Sequence, residues 1–590
     1  MLKSIGVGTE HYHELIENGN YYVDKTSFIK TVFKDNGAKV TLITRPRRFG
    51  KTLTMSTFCD FLSLNPENPG DISRQKKLFK GKKILKSRTF CNEYMGKLPV
   101  IFLTLKTVNQ SDFQDAYNEL ASVISDTAEN FKYLESSEKL DSYDRQKYRN
   151  LLNRSLLKDM SDKSVLTNSL KTLTYLLNKH HDIKPVLLID EYDVPIAKAA
   201  HNGYYKKMTE VISTMFNSAL KTNSDLGRAV LTGCLRAAKE SIFTGLNNPL
   251  ICSVLNLGNK DMSGGIGFTK EDTLEVLSYY GLSDYAEEVR KNYDGYYFGY
   301  VNMYCPWDVM SFCNENYRQG DNEGTGIIAD NYWINTGSND VIKEFMGYLK
   351  PEDTDRMQKL LDGESIVTPV SASLCYGDLK DHKIMDFWTL LLYTGYLTFD
   401  PLYRSETKGE YRLYIPNEEI RECFKSKILD FFSNNPEIKN YTSDFVNALF
   451  CGDSEKVESS LNELLRKYVS IRDFSTKAPK ENYYHGFING LLINGASLIK
   501  EQKSNLESGN GYIDLIIKPS KANGCIVILE LKQTSDEDVD KGKTAVEAIE
   551  QIIRKKYADP YISRTDTQAV LIYGICFCKK ECYVAYKKLK

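Results

Sequence analysis

An α/β chain of several domains, with a parallel sheet in its N-terminal part, is the fold class the sequence predicts, and three stretches predict it. The first is an apolar, β-favouring run, Val40-Thr41-Leu42-Ile43, which enters Thr44-Arg45-Pro46-Arg47-Arg48-Phe49-Gly50-Lys51-Thr52 and leaves with helical periodicity. The second is Val186-Leu187-Leu188-Ile189, running straight into Asp190-Glu191-Tyr192-Asp193. The third is a pair of apolar runs near the end, 511–517 and 525–532, each carrying an acid. A chain of 590 residues is too long for one core. The sequence divides it into residues 1–260, a helical middle region 261–470 and a second α/β region 471–590.

In the first region, a strand that enters a Gly-Lys-Thr turn and leaves as a helix has the layout of a phosphate-binding P-loop. Backbone N–H groups starting at Gly50 would hold phosphate, Lys51 would neutralise it, and the Thr52 hydroxyl would ligate Mg²⁺. The full motif wants a glycine where Arg45 stands, so Arg45, Arg47 and Arg48 are expected to take over part of the phosphate grip. After the turn, Leu53, Phe58, Phe61 and Leu62 fit one apolar helix face. Residues 99–105 read as a buried strand, and 112–180 as a helix-rich stretch outside the sheet.

Four apolar residues ending in Asp-Glu form a Walker B strand, buried on both faces and delivering its acids at the C-terminal edge. Asp190 would hold Mg²⁺ through water, and Glu191 would orient and deprotonate the attacking water. A solvated turn after a strand has the same composition. The P-loop upstream makes that reading the weaker one. The next strand, Arg228-Ala229-Val230-Leu231-Thr232-Gly233, offers Thr232 as the polar sensor of additional-strand (AAA-like) P-loop NTPases. Arg236 fits a charge sensor or a finger in cis, and fits a helix-surface arginine equally well. These residues predict ATP and Mg²⁺ as cofactors.

The middle region is punctuated by aromatic islands at 293–298, 332–333 and 387–388. Aromatics between polar residues can stack on bases, but in a chain with 39 tyrosines core anchoring is the better expectation. In an ATPase this region would supply a lid over the nucleotide and then a connector, for which a winged-helix-like form is one option, and 411–417 alternates like an edge strand ending at Pro416.

Near the end, the two apolar runs read as a hairpin with Asp514 on one strand and Glu530-x-Lys532 on the other. Residues two apart on a strand share a face, so Glu530 and Lys532 point the same way. Asp514 and Glu530, with the Leu531 carbonyl, would hold Mg²⁺ or Mn²⁺, and Lys532 would position water or stabilise the pentacovalent charge. Glu481 and Glu507 are the candidates for an extra acid, with Glu507 slightly favoured, whereas His485 reads as packing or capping. An ordinary hairpin with surface ion pairs would show the same triplet. Residues 541–590 hold eleven Lys/Arg against five Asp/Glu, a net +6 that could track the phosphate backbone of DNA.

Composition sets outer bounds. With 42% hydrophobic and 26% charged residues the chain is ordinary for a globular protein, and a net charge of -1 argues against coating nucleic acid through bulk charge while leaving room for a local basic groove. No run approaches the ~20 apolar residues of a membrane helix, and the start, Met1-Leu2-Lys3-Ser4-Ile5-Gly6, lacks a signal-peptide core. A cytoplasmic location without a membrane partner is expected. The thirteen cysteines are scattered, and reduced, core-filling thiols are the expectation for them; Cys576, Cys578 and Cys582 lack zinc-site spacing.

The sequence resembles the bacterial AAA-ATPase-like family that carries a PD-(D/E)XK nuclease-type domain at its C-terminus. The blocks that carry the resemblance are 22–26, 45–52, 188–193, 238–243, 293–299 and 394–398, so it spans nearly the whole chain. The resemblance implies that Arg-Pro-Arg-Arg-Phe-Gly-Lys-Thr is the family's own P-loop. It also implies a restriction-endonuclease-like α/β domain at the end, in which a helix crosses the sheet and Gln551 reaches the site. Where the family often has a basic residue just before Ile513, this chain has Tyr512, which weakens the expected grip on substrate. The function expected is ATP binding and hydrolysis coupled to Mg²⁺-dependent cleavage of DNA, and a homo-oligomer is compatible with it. The alternative is a nucleotide-dependent switch whose C-terminal domain binds nucleic acid or a protein partner without cutting.

Overall fold

A computed structural model describes residues 2–34, 38–235, 249–255, 260–317, 329–333, 356–424 (except 358, 362, 373 and 382), 436–468, 484, 487–488, 491–492, 498–578 (except 510, 521–523, 535–538 and 566) and 581–590. The chain forms two compact units, 1–341 with 365–420, and 342–364 with 421–590.

The first unit is built on strands β1 (Val40–Thr44), β2 (Val100–Thr104), β3 (Val186–Asp190), β4 (Arg228–Gly233) and β5 (Leu250–Cys252), in the order β2-β3-β4-β1-β5. Every pairing is parallel. β1 and β3 are buried along their whole length, as the continuous apolar runs require of strands covered on both faces. The helices Lys51–Leu62, Phe113–Glu129, Ser169–His181 and Tyr205–Leu220 belong to this unit; Asp112 starts the second by accepting from the Asp115 amide at 3.0 Å. β4 lies between β3 and β1, the additional-strand arrangement. Parallel strands deliver the P-loop, Asp190-Glu191 and Thr232-Gly233 to one edge of the sheet.

The same unit continues into helices Lys270–Tyr279, Ala286–Tyr293 and Pro306–Asn316, whose Val276, Leu277, Val289 and Phe312 share a core with Val23. A capping box between Thr269 and Asp272 starts the first of these helices, and Pro306 begins the last. A hairpin, β6 (Tyr296–Phe298) and β7 (Val301–Met303), precedes the last helix. Tyr293 and Trp388 are wholly buried and Trp333 nearly so, which makes these aromatics core anchors. A small sheet follows in the order β8 (Ile366–Pro369), β10 (Glu410–Tyr414), β9 (Thr398–Phe399). Here the structure corrects the expectation for 411–417: β10 is the central strand. Pro416 lies beyond its last paired residue and removes no ladder donor.

The second unit carries a five-stranded sheet, β11 (Ile499–Ser508), β12 (Gly511–Pro519), β13 (Cys525–Gln533), β14 (Ala569–Cys578) and β15 (Glu581–Lys588), paired in chain order. β12 and β13 form the expected antiparallel hairpin, with Leu515 opposite Leu529. β13 and β14 are parallel, joined through the helix Lys541–Arg554. That helix covers one face through Ile549 and Ile552 on Ile516, Ile528 and Ile572. The other face packs on the helices Pro436–Cys451 and Ser454–Tyr468, with Phe445, Leu449, Leu461 and Leu465 in one core with Leu515, Val527 and Tyr573. Those helices lie upstream of residue 471 yet share the core of the C-terminal sheet. The outer strand β15 meets polar side chains: Asn462 exchanges hydrogen bonds with the Cys582 backbone, and Glu458 accepts from the Val584 amide at 2.8 Å.

Candidate nucleotide and metal sites

Gly50, at φ +88°, is left-handed where the P-loop turns into helix Lys51–Leu62, a conformation glycine adopts without strain. Thr52 follows and donates from Oγ1 to Asp190 Oδ2 at 2.7 Å. From the neighbouring strand, Thr232 Oγ1 donates to Asp190 Oδ1 at 2.6 Å. One carboxylate thus joins three motifs that lie 138 and 42 residues apart. Asp190 is fully buried; burial first, then the charge of Glu191, pushes its carboxyl up to about 6 against the opposing hydrogen bonds. Lys51 Nζ lies 3.4 Å from Glu191 Oε1 and donates to the carbonyls of Pro46 at 3.1 Å and Arg45 at 3.3 Å. Burial alone would lower the Lys51 ammonium, but Cys234, Glu191, Asp190 and Asp193 outweigh it and hold it charged.

Arg45 is placed otherwise than expected. Its wholly buried guanidinium turns away from the loop mouth and donates to the carbonyls of Thr44 at 2.8 Å, Cys252 at 3.1 Å and Met262 at 3.1 Å, with Phe298 stacked against it. Arg45 therefore ties the loop to distant backbone instead of presenting charge to phosphate. Arg48, left-handed at φ +69°, lies 4.0 Å over the Trp307 ring, while Arg47 is exposed. Arg236 lies outside the described residues.

In the second unit, Asp514 Oδ2 accepts from the Leu531 amide at 2.8 Å, which sets it beside the Glu530-Leu531-Lys532 backbone. Glu530, 2% exposed, receives Lys532 Nζ at 3.5 Å and the Gln551 side-chain amide on the same oxygen. Gln551 reaches it because the helix Lys541–Arg554 lies tight on β14. A Cβ on Gly574 would stand 2.0 Å from the Ala545 carbonyl oxygen. Glu507 sits on β11 in register with Tyr512, which is 62% exposed. Glu481 and His485 lie outside the described residues.

Both sites fall within regions that match known families. Residues 6–243 match the AAA-ATPase-like family, described as a predicted AAA-ATPase, and residues 479–587 match the PD-(D/E)XK nuclease superfamily. The chain joins an AAA-ATPase-like domain to a PD-(D/E)XK nuclease-superfamily domain. It is also similar to an "Uncharacterized protein in vnfD 5'region" of Azotobacter chroococcum mcd 1, with 21% identity over 569 residues covering 95% of this chain and 94% of the relative. No solved structure matches.

The donors of both sites suit a hard divalent cation. In the AAA-ATPase-like domain a hydroxyl and a buried carboxylate converge, and in the nuclease-superfamily domain two carboxylates flank a strand backbone, all oxygen ligands. A carboxyl held near 6 by burial is one whose charge a cation would restore. Three further residues around the P-loop had no signal in the sequence as site residues. Asp193, in the Walker B block, accepts from the amides of Cys234 and Leu235 and from Tyr376 Oη. Cys234 Sγ lies 3.7 Å from Lys51 Nζ. Among the described residues no helix is long and apolar enough to cross a membrane.

Proposed function

We propose that the AAA-ATPase-like domain binds and hydrolyses ATP with Mg²⁺, and that this controls Mg²⁺-dependent cleavage of DNA by the PD-(D/E)XK domain. The convergence of Thr52 and Thr232 on Asp190 supports it most, since it joins P-loop, Walker B and sensor strand at one sheet edge. In this reading Lys51 releases the loop carbonyls to meet phosphate, Thr52 and Asp190 hold the cation, and Glu191 takes a proton from the attacking water. A cation held there would offset the charge on the phosphates. In the second domain Asp514 and Glu530 would hold the cation, Lys532 would orient water at the phosphodiester, and Gln551 would fix the Glu530 carboxylate. The net +6 of residues 541–590 supports binding to a phosphate backbone.

The test uses the purified full chain with Mg²⁺ or Mn²⁺, with and without ATP, on single- and double-stranded DNA. Lys51→Ala is expected to lose ATP binding. Asp514→Ala is expected to lose cleavage and keep ATP hydrolysis. Cleavage unchanged in Asp514→Ala would sink the nuclease assignment, and a salt-sensitive gel shift without cutting would replace it with a binding switch.

A further inference from the structure

The turn after β3 has an unusual construction. Glu191 is left-handed, at φ +51°, a conformation unfavourable to a residue with a side chain that persists only where its neighbours impose it. On one side, the Asp190 carbonyl accepts from the Leu105 amide at 3.0 Å, and its side chain is held by Thr52 and Thr232. On the other, the Tyr192 amide donates to the Thr232 carbonyl at 3.0 Å, and Asp193 is anchored as follows.

Asp193 occupies the N-cap position of helix Val194–His201, where an aspartate ordinarily accepts from its own helix. Its side chain makes no such bond. Oδ2 instead accepts from the amides of Cys234 and Leu235, both at 2.9 Å, and from Tyr376 Oη at 3.1 Å. The approach is close: a Cβ on Gly233 would stand 2.6 Å from Asp193 Oδ1. Asp193 is 1% exposed, so an acceptor lost here leaves two buried amides unsatisfied.

We infer that Asp193 is a positioning residue for hydrolysis: it gives up capping its own helix to lock the turn that holds Glu191, and Tyr376 makes that lock depend on the segment after β8. Glu191 stays aimed only while the loop beyond Thr232 and the Tyr376 hydroxyl are in place. The inference rests on the ATPase reading and adds to it a residue that touches no substrate.

The experiment measures ATP hydrolysis and equilibrium ATP binding for the full chain, for Tyr376→Phe, Asp193→Asn and Asp193→Ala, and for each in a Glu191→Gln background. Tyr376→Phe removes one hydroxyl and is expected to fold. It should lower kcat by about 3- to 10-fold while leaving the Kd for ATP within about 2-fold. Asp193→Ala should lower kcat by roughly 100-fold, and Asp193→Asn, which keeps an acceptor, should recover part of it. In the Glu191→Gln background neither Tyr376→Phe nor Asp193→Asn should change the residual rate, because the group being positioned is gone. Unchanged kcat in folded Tyr376→Phe overturns the inference. So does an equal loss with and without Glu191, which marks a merely structural effect. Failure of the unmodified chain to bind or hydrolyse ATP removes the ATPase reading and this inference with it. Hydrolysis by the unmodified chain that Tyr376→Phe and Asp193→Asn match removes the inference alone.

Discussion

Arg45 occupies the position where a P-loop would have its first glycine, and its burial gives the substitution a structural meaning. The guanidinium satisfies carbonyls at residues 44, 252 and 262, so a glycine there would strand buried acceptors and leave a cavity. Arg45→Gly is expected to cost about 3 kcal/mol of stability, read as a lower urea midpoint, and to leave ATP affinity no better. A second residue-scale effect lies at His181, in the last turn of helix Ser169–His181. Burial first, then His180 and Lys139, push its imidazole down to about 4, although a helix C-terminus favours the cation. The fold thus holds His181 neutral where the unfolded chain protonates near 6.5. Its contribution is complete above that pH and is lost as the pH falls towards 4. Asp190, with its raised carboxyl, changes stability in the opposite sense over much of this range, so only a comparison of variants isolates the histidine. His181→Gln should flatten the loss of stability between pH 6.5 and 4 by about 1–2 kcal/mol, solvent screening of the half-buried ring included, followed by urea unfolding across that range.

At the scale of elements, strands that run apolar into acids were legible because burial on both faces and delivery of charge at an edge leave a pattern in consecutive residues. β3 and β13 were of this kind, and β1 was legible by its continuous apolar run alone. The direction taken by Arg45 was not legible, since two of its three carbonyl acceptors lie more than 200 positions away. Nor was the central place of β10, whose neighbours come from either side of a long helix-bearing insertion. Gln551 was reachable only by resemblance, because its meeting with Glu530 depends on how closely a helix approaches β14. That closeness is testable. Gly574→Val would drive a side chain into the Ala545 carbonyl, lift the helix and part Gln551 from Glu530. The variant should lose thermal stability and, with it, nucleolytic activity, whereas Gln551→Ala should lose activity with little change in melting temperature.

Across the whole molecule, the sequence drew a boundary at 470 because amphipathic helices look alike whether they connect domains or complete a core. In the structure the helices Pro436–Cys451 and Ser454–Tyr468 close one face of the C-terminal sheet. A fragment starting at 471 would expose Leu515, Val527, Leu529 and Tyr573, and is expected to aggregate or to lack a cooperative thermal transition. A fragment starting at 421 should be soluble and melt cooperatively, checked by circular dichroism and gel filtration. Equal behaviour of the two would show that the helices are dispensable.

The contacts of Asn462 and Glu458 with β15 have a consequence for self-association. An outer strand is a template on which another chain can continue the sheet, and here its amides at 582 and 584 are already taken by side chains of a covering helix. Growth by strand addition is blocked at that margin. At the opposite margin, β11 carries Lys500, Glu501 and Lys503, charges that a docking strand would have to desolvate. Both ends of the sheet are thereby guarded against runaway polymerisation, one by occupancy and the other by charge.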